Sequence, residues 1–226
     1  MPAAARPRKT TARRAGRPAG EGPDQRERLL DAAIACYSRV GIGATSLRSI
    51  AREANVNPAL LHYYFGDKAQ LEAAVVQERL LAAFETVRAP LLKADGDVAA
   101  LVAAFVRGMG DAVARYPWLP ALWVREVLCE GGALRGLLLG RIAPLIPQAM
   151  AARFAAAQRA GEINAQLDPR LLVVSLVGLT LFPAAGAPIW RQMFQADDID
   201  ADAMRNHTIA LLDRGLALKN PGGQDA

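Results

Sequence analysis

Residues 45–68 carry side chains that are suited to binding a polyanion. Thr45 and Ser46 offer hydroxyls, and Arg48 offers a guanidinium fork that matches phosphate oxygens or the edge of a guanine. Asn57 and Tyr63 add an amide and a phenol to the same stretch. These groups make hydrogen bonds and ion pairs rather than covalent bonds, so the chemistry that they favour is recognition.

Groups that perform catalysis or bind metals are sparse by comparison. The two histidines, His62 and His207, lie in unrelated segments, and the chain has no nucleophile elbow, no glycine-rich phosphate loop and no suitably partnered carboxylate pair. The two cysteines, Cys36 and Cys129, form no CxxC or Cys/His cluster, which argues against a zinc site or a disulfide scaffold. We therefore expect no enzymatic activity, no metal and no cofactor, in a reducing cytoplasm.

Positive charge is concentrated at the start of the chain. Residues 1–68 contain 12 of the 27 Lys and Arg but 6 of the 22 Asp and Glu, which leaves the remainder of the chain with a net charge of −1. A basic head on a nearly neutral body favours contact of the head with a polyanion. The alternative is a basic tail that only improves solubility.

The elements that hold these side chains are short helices. Capping and breaking residues predict a helix from Thr45, a sharp stop at Asn55, and a new helix that Asn57 caps with Pro58 in its first position. A long fourth helix is predicted from about residue 67 to 88, ended by Pro90. Residues 45–65 thus have the spacing of a helix-turn-helix.

The stretch GIGATSLRSIAREANVNPALLHYYFGDK, residues 41–68, resembles the TetR/AcrR family of bacterial transcriptional regulators. The resemblance covers about residues 24–72. Two positions depart from the usual pattern: Asn55 stands where family members place Gly, and His62 stands where Tyr is common. Asn tolerates the left-handed backbone of that turn, and His, like Tyr, can donate a hydrogen bond to phosphate.

The resemblance implies a set of DNA contacts. Arg48 matches the position that reaches a base edge, and Lys68 matches the lysine that pairs with phosphate; ordinary solvated side chains are the alternative for both. Pro58, Ala59 and Leu60 open the recognition helix and suit apolar contact with thymine methyl groups. The predicted DNA-binding residues are Thr45, Ser46, Arg48, Asn57, Pro58, Ala59, Leu60, His62, Tyr63 and Lys68.

The rest of the sequence predicts an all-α body. Hydrophobic residues make up 52% of the chain and aromatic residues 6%, with no alternating strand pattern. Separators such as Gly and Pro delimit candidate helices at 97–115, 118–129, 132–160, 168–182 and 200–218. We expect a disordered basic arm at 1–23, a helix-turn-helix domain at 24–68 and a helical ligand-binding and dimerisation domain at 69–226.

A ligand pocket is predicted from aromatic and polar side chains on neighbouring helices of the body. Apolar walls with one or two charges are typical of such sites. An aromatic-rich core is the alternative for any single member, and a redox role for Cys129 has no activating cation except Arg125. The predicted pocket residues are Phe105, Met109, Trp118, Trp123, Arg125, Glu126 and Cys129.

A dimer interface is predicted from two C-terminal helices. Residues 171–190 carry no charge, but Pro183, Gly186 and Pro188 interrupt them before a bilayer could be spanned. The helices therefore suit a four-helix bundle with a second copy, unless the first is buried within one subunit. The predicted interface residues are Leu171, Val174, Leu176, Leu181, Ile209, Leu212 and Leu216.

Together these features predict a cytoplasmic, homodimeric regulator that binds a palindromic site in double-stranded DNA. The family resemblance implies a repressor that an unknown small molecule releases from its operator. The alternative is an adaptor at a membrane surface or between proteins, which would use the basic arm and the apolar C-terminal helix and need no DNA.

Overall fold

The computed structural model describes residues 23–94, 97–142 and 145–217, and these form no strand. The predicted all-α class is confirmed. The arm, residues 1–23, lies outside the described residues except for Pro23. The helices are α1 (Pro23–Val40), α2 (Leu47–Glu53), α3 (Pro58–Phe65), α4 (Lys68–Val75), α5 (Leu81–Lys93), α6 (Val98–Arg115), α7 (Leu119–Trp123), α8 (Arg135–Leu137), α9 (Leu145–Arg159), α10 (Pro169–Ala185), α11 (Ala187–Phe194) and α12 (Ala201–Ala217).

Helices α1 to α3 form the head, and local sequence sets their ends. Asn55 has φ 53°, the left-handed conformation predicted for the stop after α2. The Asn57 side chain accepts a hydrogen bond from the Ala59 amide at 2.9 Å, and Pro58 takes the first position of α3. Leu61 and Phe65 of α3 are buried in the same core as Ile50 of α2, which fixes α3 on the head.

The path of α4 into α5 differs from the predicted single helix. It passes through a π-helical turn, Val76–Leu80, and continues beyond Pro90 to Lys93. Proline removes one helical hydrogen bond, yet Leu91 directly after it is buried in the core of the body. Burial of the helix around Pro90 offsets that loss, so the prediction that Pro90 ends the helix is wrong.

Helix α6 lies at the centre of the body and packs against α5, α10 and α12. Its apolar side chains Leu101, Phe105 and Val106 are buried with Phe154 of α9 and Leu176 of α10. This core is separate from a second one that joins the head to α4 and α7.

The body departs from the predicted helix bounds in two places. The candidate helix 132–160 is divided into α8, a π-helical turn at Leu138–Ile142, and α9. A helix that was not predicted, α11, follows Gly186 and ends at Gln195, which has φ 53°. No described helix alone has the length and hydropathy to cross a bilayer; α10 and α11 meet those criteria only jointly, with a bend of 68°.

Candidate nucleic-acid interface and apolar cavity

The outer face of α3 is formed by residues that the sequence predicts as DNA contacts. Asn57, Pro58, Ala59 and His62 are exposed, and 76% of Tyr63 is accessible. Leu60 is half-buried and packs against the core of the head. The helix therefore presents a narrow face that mixes small apolar groups, an amide, an imidazole and a phenol.

The N-terminus of α2 is capped by Ser46, which corrects the prediction that Thr45 is the cap. The Ser46 hydroxyl accepts from the Ser49 amide at 3.1 Å, and the Ser46 amide donates to the Ser49 hydroxyl. Thr45 is buried, and its hydroxyl donates to the Gly41 carbonyl at 2.6 Å. This bond occupies the Thr45 side chain inside the head, away from any phosphate.

Arg48 and Lys68 differ in whether their charged groups have partners within the described part of the chain. Arg48 is exposed and, within the described residues, has no ion pair or hydrogen bond. The Lys68 ammonium donates to the Ile42 carbonyl at 2.9 Å and lies 3.7 Å from a Glu72 carboxylate oxygen. Lys68 thus joins the start of α4 to the loop before α2, whereas Arg48 points its charge at solvent.

His62 is oriented by the end of its own helix. Its Nδ1 lies 2.7 Å from the Gly66 carbonyl oxygen, which makes Nδ1 the hydrogen-bearing nitrogen of the ring. With Nδ1 bonded in this way, Nε2 is the acceptor of the neutral ring.

Ion pairs hold α1 against the π-helical turn after α4. The Arg26 guanidinium donates to both Glu78 carboxylate oxygens at 2.5 and 2.6 Å and lies over the Phe65 ring. This hydrogen bonding lowers the pKa of Glu78 below its ordinary value and raises that of Arg26. Arg79 donates to Glu27, also on α1. The head is therefore fixed to the helix that enters the body.

A cavity of about 530 Å³, open to the surface on one side, is formed mainly by α5, α6, α7, α9 and α10 of the body. Among its described lining residues, no side chain is charged, and the Trp123 indole N–H is the one strong hydrogen-bond donor. The 24 lining residues are Leu80, Ala83, Phe84, Val87, Phe105, Met109, Leu119, Leu122, Trp123, Val124, Val127, Leu128, Leu134, Leu137, Leu138, Ile146, Pro147, Met150, Val173, Val174, Val177, Gly178, Leu181 and Phe182.

The sequence-based pocket coincides only partly with this cavity. Phe105, Met109 and Trp123 line it, but the other four predicted residues do not. Trp118 packs against the core that joins the head to the body. The remaining three are placed on or beside the turn after α7, with Arg125 and Cys129 exposed and Glu126 buried.

The lining residues that sequence reasoning missed recur at helical spacing. Phe84 and Val87 face the cavity from α5, and Val173 and Val177 face it from α10. An i, i+3 or i+4 apolar pattern predicts a buried face, which these residues do form. The pattern carries no signal that separates the wall of a cavity from a filled core.

The predicted dimer residues divide between core and surface. Leu176, Leu181 and Leu212 are buried within their own chain, which corrects their assignment to an interface. Ile209 is half-buried against the same core, and the side chain of Leu216 lies outside the described residues. Large exposed apolar side chains on α10, α11 and α12 are Leu171, Val174, Phe182, Ile189, Met193, Phe194 and Leu211.

Comparisons with known proteins agree with this architecture. The family profile described as "Bacterial regulatory proteins, tetR family" matches residues 29–75. The transcriptional regulator BetI of Rhizobium meliloti is 43% identical over 61 residues, which are 27% of this chain and only 30% of BetI. A crystal structure of a TetR-like regulator from Rhodococcus sp. RHA1 shares the fold, with a TM-score of 0.64 and 23% identity over 86% of this chain and 97% of that one.

A longer match extends beyond the head. The transcriptional regulator RutR of Escherichia coli K12 is 30% identical over 166 residues, which are 73% of this chain and 76% of RutR. A match of that length extends beyond the family profile at residues 29–75 into the helical body. The chain therefore belongs to the TetR family of bacterial regulatory proteins.

Proposed function

We propose that this protein is a homodimeric transcriptional repressor that leaves its DNA operator when an apolar small molecule fills the cavity. The observation that carries the proposal is the pairing of an exposed, capped α3 with a large apolar cavity in the same chain. No catalytic step and no cofactor enter it. Because the target is DNA, the proposal places the protein in the cytoplasm.

In this proposal α3 enters the major groove. The exposed Asn57, His62 and Tyr63 contact base edges and the sugar-phosphate backbone, and Pro58 and Ala59 lie against thymine methyl groups. Arg48 and Ser46 reach the DNA from the start of α2, where both are exposed. Thr45 is left out, since its hydroxyl is already bonded inside the head.

The second copy is proposed to cover those exposed apolar side chains of α10, α11 and α12 that do not line the cavity. Leu171 is 61% exposed, Ile189 68% and Phe194 71%, and exposed apolar side chains on helices that contact one another are a mark of an interface. A two-fold axis through this surface would present two copies of α3 to successive major grooves, about 34 Å apart. A palindromic site follows from that symmetry.

The cavity supports an uncharged and largely hydrocarbon effector. Its volume of about 530 Å³ lies within the range of sites for drug-sized ligands. A charged group placed against Phe105, Val177 or Leu122 would lose its hydration without gaining a partner. The Trp123 indole can satisfy one acceptor, so a single carbonyl or ether oxygen is tolerated there.

Release is proposed to occur by a shift of population. The effector binds more tightly to a conformation in which the two copies of α3 no longer match successive grooves, and DNA binds more tightly to the other. The coupling between the two ligands is then reciprocal, so operator DNA weakens effector binding by the same factor.

The proposal is tested with a duplex selected from a random pool. Fluorescence anisotropy is expected to show an affinity that falls steeply with salt and that is weakened by Arg48→Ala and by Tyr63→Ala. Arg107→Ala, an exposed arginine of α6, is the matched control and should bind like the wild type. Wild-type affinity in both head variants, or equal affinity for DNA and for anionic lipid vesicles, would contradict the proposal.

A further inference from the structure

We propose that Glu126 transmits occupancy of the cavity to the reading head, an inference that rests on the proposed function. Only 4% of Glu126 is exposed, although it is an acid. One carboxylate oxygen accepts from the Ile42 amide of the head at 2.9 Å, and the other accepts from the Ala133 amide of the body at 2.9 Å. This side chain is thus a hydrogen-bonded link between the two parts of the molecule.

Two glycines shape the space around this carboxylate. Gly41 has φ 92°, and a Cβ built on it would lie 2.9 Å from a Glu126 carboxylate oxygen and 3.3 Å from Cδ of Arg125. A Cβ at Gly132 would overlap the backbone carbonyl of Glu126. A side chain at Gly41 would push the loop before α2 away from the acid, and one at Gly132 would displace the loop that carries the Ala133 amide, so both hydrogen bonds of Glu126 depend on these glycines.

The cavity lies against the same short segment that carries Glu126. Glu126 belongs to the π-helical turn Val124–Leu128, and Val124, Val127 and Leu128 all line the cavity. A molecule that enters the cavity contacts this turn directly. Because a hydrogen bond weakens steeply with distance and angle, a small displacement of the turn changes the bond to Ile42.

Within the head, Ile42 is connected by hydrogen bonds and by its loop to α2 and α4, the helices before and after α3. The carbonyl of Ile42 accepts from Lys68 at the start of α4, while its amide donates to Glu126. Thr45 follows in the same loop and donates to Gly41, directly before α2. Movement of Ile42 is therefore passed to the N-termini of α2 and α4.

Space for such movement exists beside the link. A smaller cavity of about 250 Å³ lies between head and body, and its wall includes both amide donors, Ile42 and Ala133. Leu122 and Leu134 line this smaller cavity and the large one as well. The junction is thus held by specific hydrogen bonds across a loosely packed region, as a movable connection requires. Glu126 is a positioning residue, since it lines neither the large cavity nor the exposed face of α3.

The test compares Glu126→Ala with Glu130→Ala, an exposed acid four positions along. The probe is the uncharged apolar dye N-phenyl-1-naphthylamine, whose fluorescence reports its own binding, and DNA affinity is measured with the selected duplex. With saturating dye, the wild type and Glu130→Ala are expected to lose about tenfold in DNA affinity. Glu126→Ala is expected to lose less than about twofold while its dye affinity stays within about threefold of the wild type.

Amide hydrogen exchange at Ile42 provides a readout that does not depend on DNA. Dye binding is expected to change this exchange in the wild type and not in Glu126→Ala. If circular dichroism shows that Glu126→Ala is unfolded, Glu126→Gln, which keeps one acceptor oxygen, is used in its place. In Glu126→Gln the loss of DNA affinity caused by the dye should be at least about threefold smaller than in the wild type.

Three outcomes would overturn the inference or its premise, and they are distinguishable. Full coupling retained in a folded Glu126 variant contradicts the role of this residue. A wild type that binds dye with no change in DNA affinity or in Ile42 exchange contradicts the coupling itself. A wild type that selects no DNA contradicts the proposed function instead, and the Ile42 exchange then decides alone whether Glu126 links cavity and head.

Discussion

Removing the cap of α3 should separate the stability of the head from its reading of DNA. In Asn57→Ala the hydrogen bond from the Ala59 amide is lost, and loss of such a cap costs about 1 kcal/mol. For a chain of this length, that corresponds to a melting temperature lower by about 2–4 °C. If the amide also contacts a base edge, DNA affinity falls by a further ~1–3 kcal/mol, or about 5- to 150-fold.

Two other substitutions at Asn57 separate the effect on stability from the effect on DNA affinity. Asn57→Ser keeps a side chain that caps well, so its melting temperature should match the wild type while its DNA affinity falls. Asn57→Asp also keeps the cap and adds a negative charge that the helix N-terminus favours but that DNA phosphates repel. Its stability should equal or exceed that of the wild type, and its affinity for DNA should be the lowest of the three.

Differential scanning calorimetry and fluorescence anisotropy measure the two quantities on the same samples. An Asn57→Asp variant that binds the selected duplex as tightly as the wild type would refute the reasoning, because the N-terminus of α3 then faces away from DNA. An unchanged melting temperature in Asn57→Ala would refute the capping argument separately.

Three further outcomes are expected. The Arg26 guanidinium lowers the pKa of Glu78, so their ion pair stabilises the fold at pH values above the ordinary glutamate pKa of about 4.3. This stabilisation is lost as the pH falls through the folded-state pKa of Glu78. Glu78→Gln should therefore make the free energy of unfolding, measured by urea titration, less dependent on pH in the acid range. Leu171→Asp should turn the proposed dimer into a folded monomer in analytical ultracentrifugation, because 61% of this side chain is exposed and it lies outside the described core of the body. Gly132→Ala should lower the free energy of unfolding by about 1–3 kcal/mol in urea, since its methyl group would meet the Glu126 backbone.

The helix-turn-helix was predictable because local rules determine it. Asn55 in the left-handed region and the Asn57-Pro58 cap of α3 are properties of single residues, and both occur as predicted. The choice between the adjacent hydroxyls of Thr45 and Ser46 was not predictable from type alone. It depends on the burial of Thr45 in the head, where its hydroxyl donates to the Gly41 carbonyl of the same loop.

The body shows where local rules are outweighed by packing. The helix continues past Pro90 because its neighbours, among them the buried Leu91, are held in the core. The sequence predicted the helices that became α6 and α10, but it does not state which of their faces meet and which leave a cavity between them. Glu126 was assigned to a pocket because an acid among apolar residues suggested a ligand; its partners, Ile42 and Ala133, are backbone amides and leave no trace in the sequence.

The most direct test of the central claim, that α3 reads DNA from a two-fold symmetric dimer, is in-vitro selection of duplexes from a random pool by the purified protein. The account predicts enrichment of two inverted half-sites whose centres are separated by about one helical turn, 10–10.5 base pairs, or a multiple of it. Enrichment of a single asymmetric element, or no enrichment above the starting pool, would contradict it.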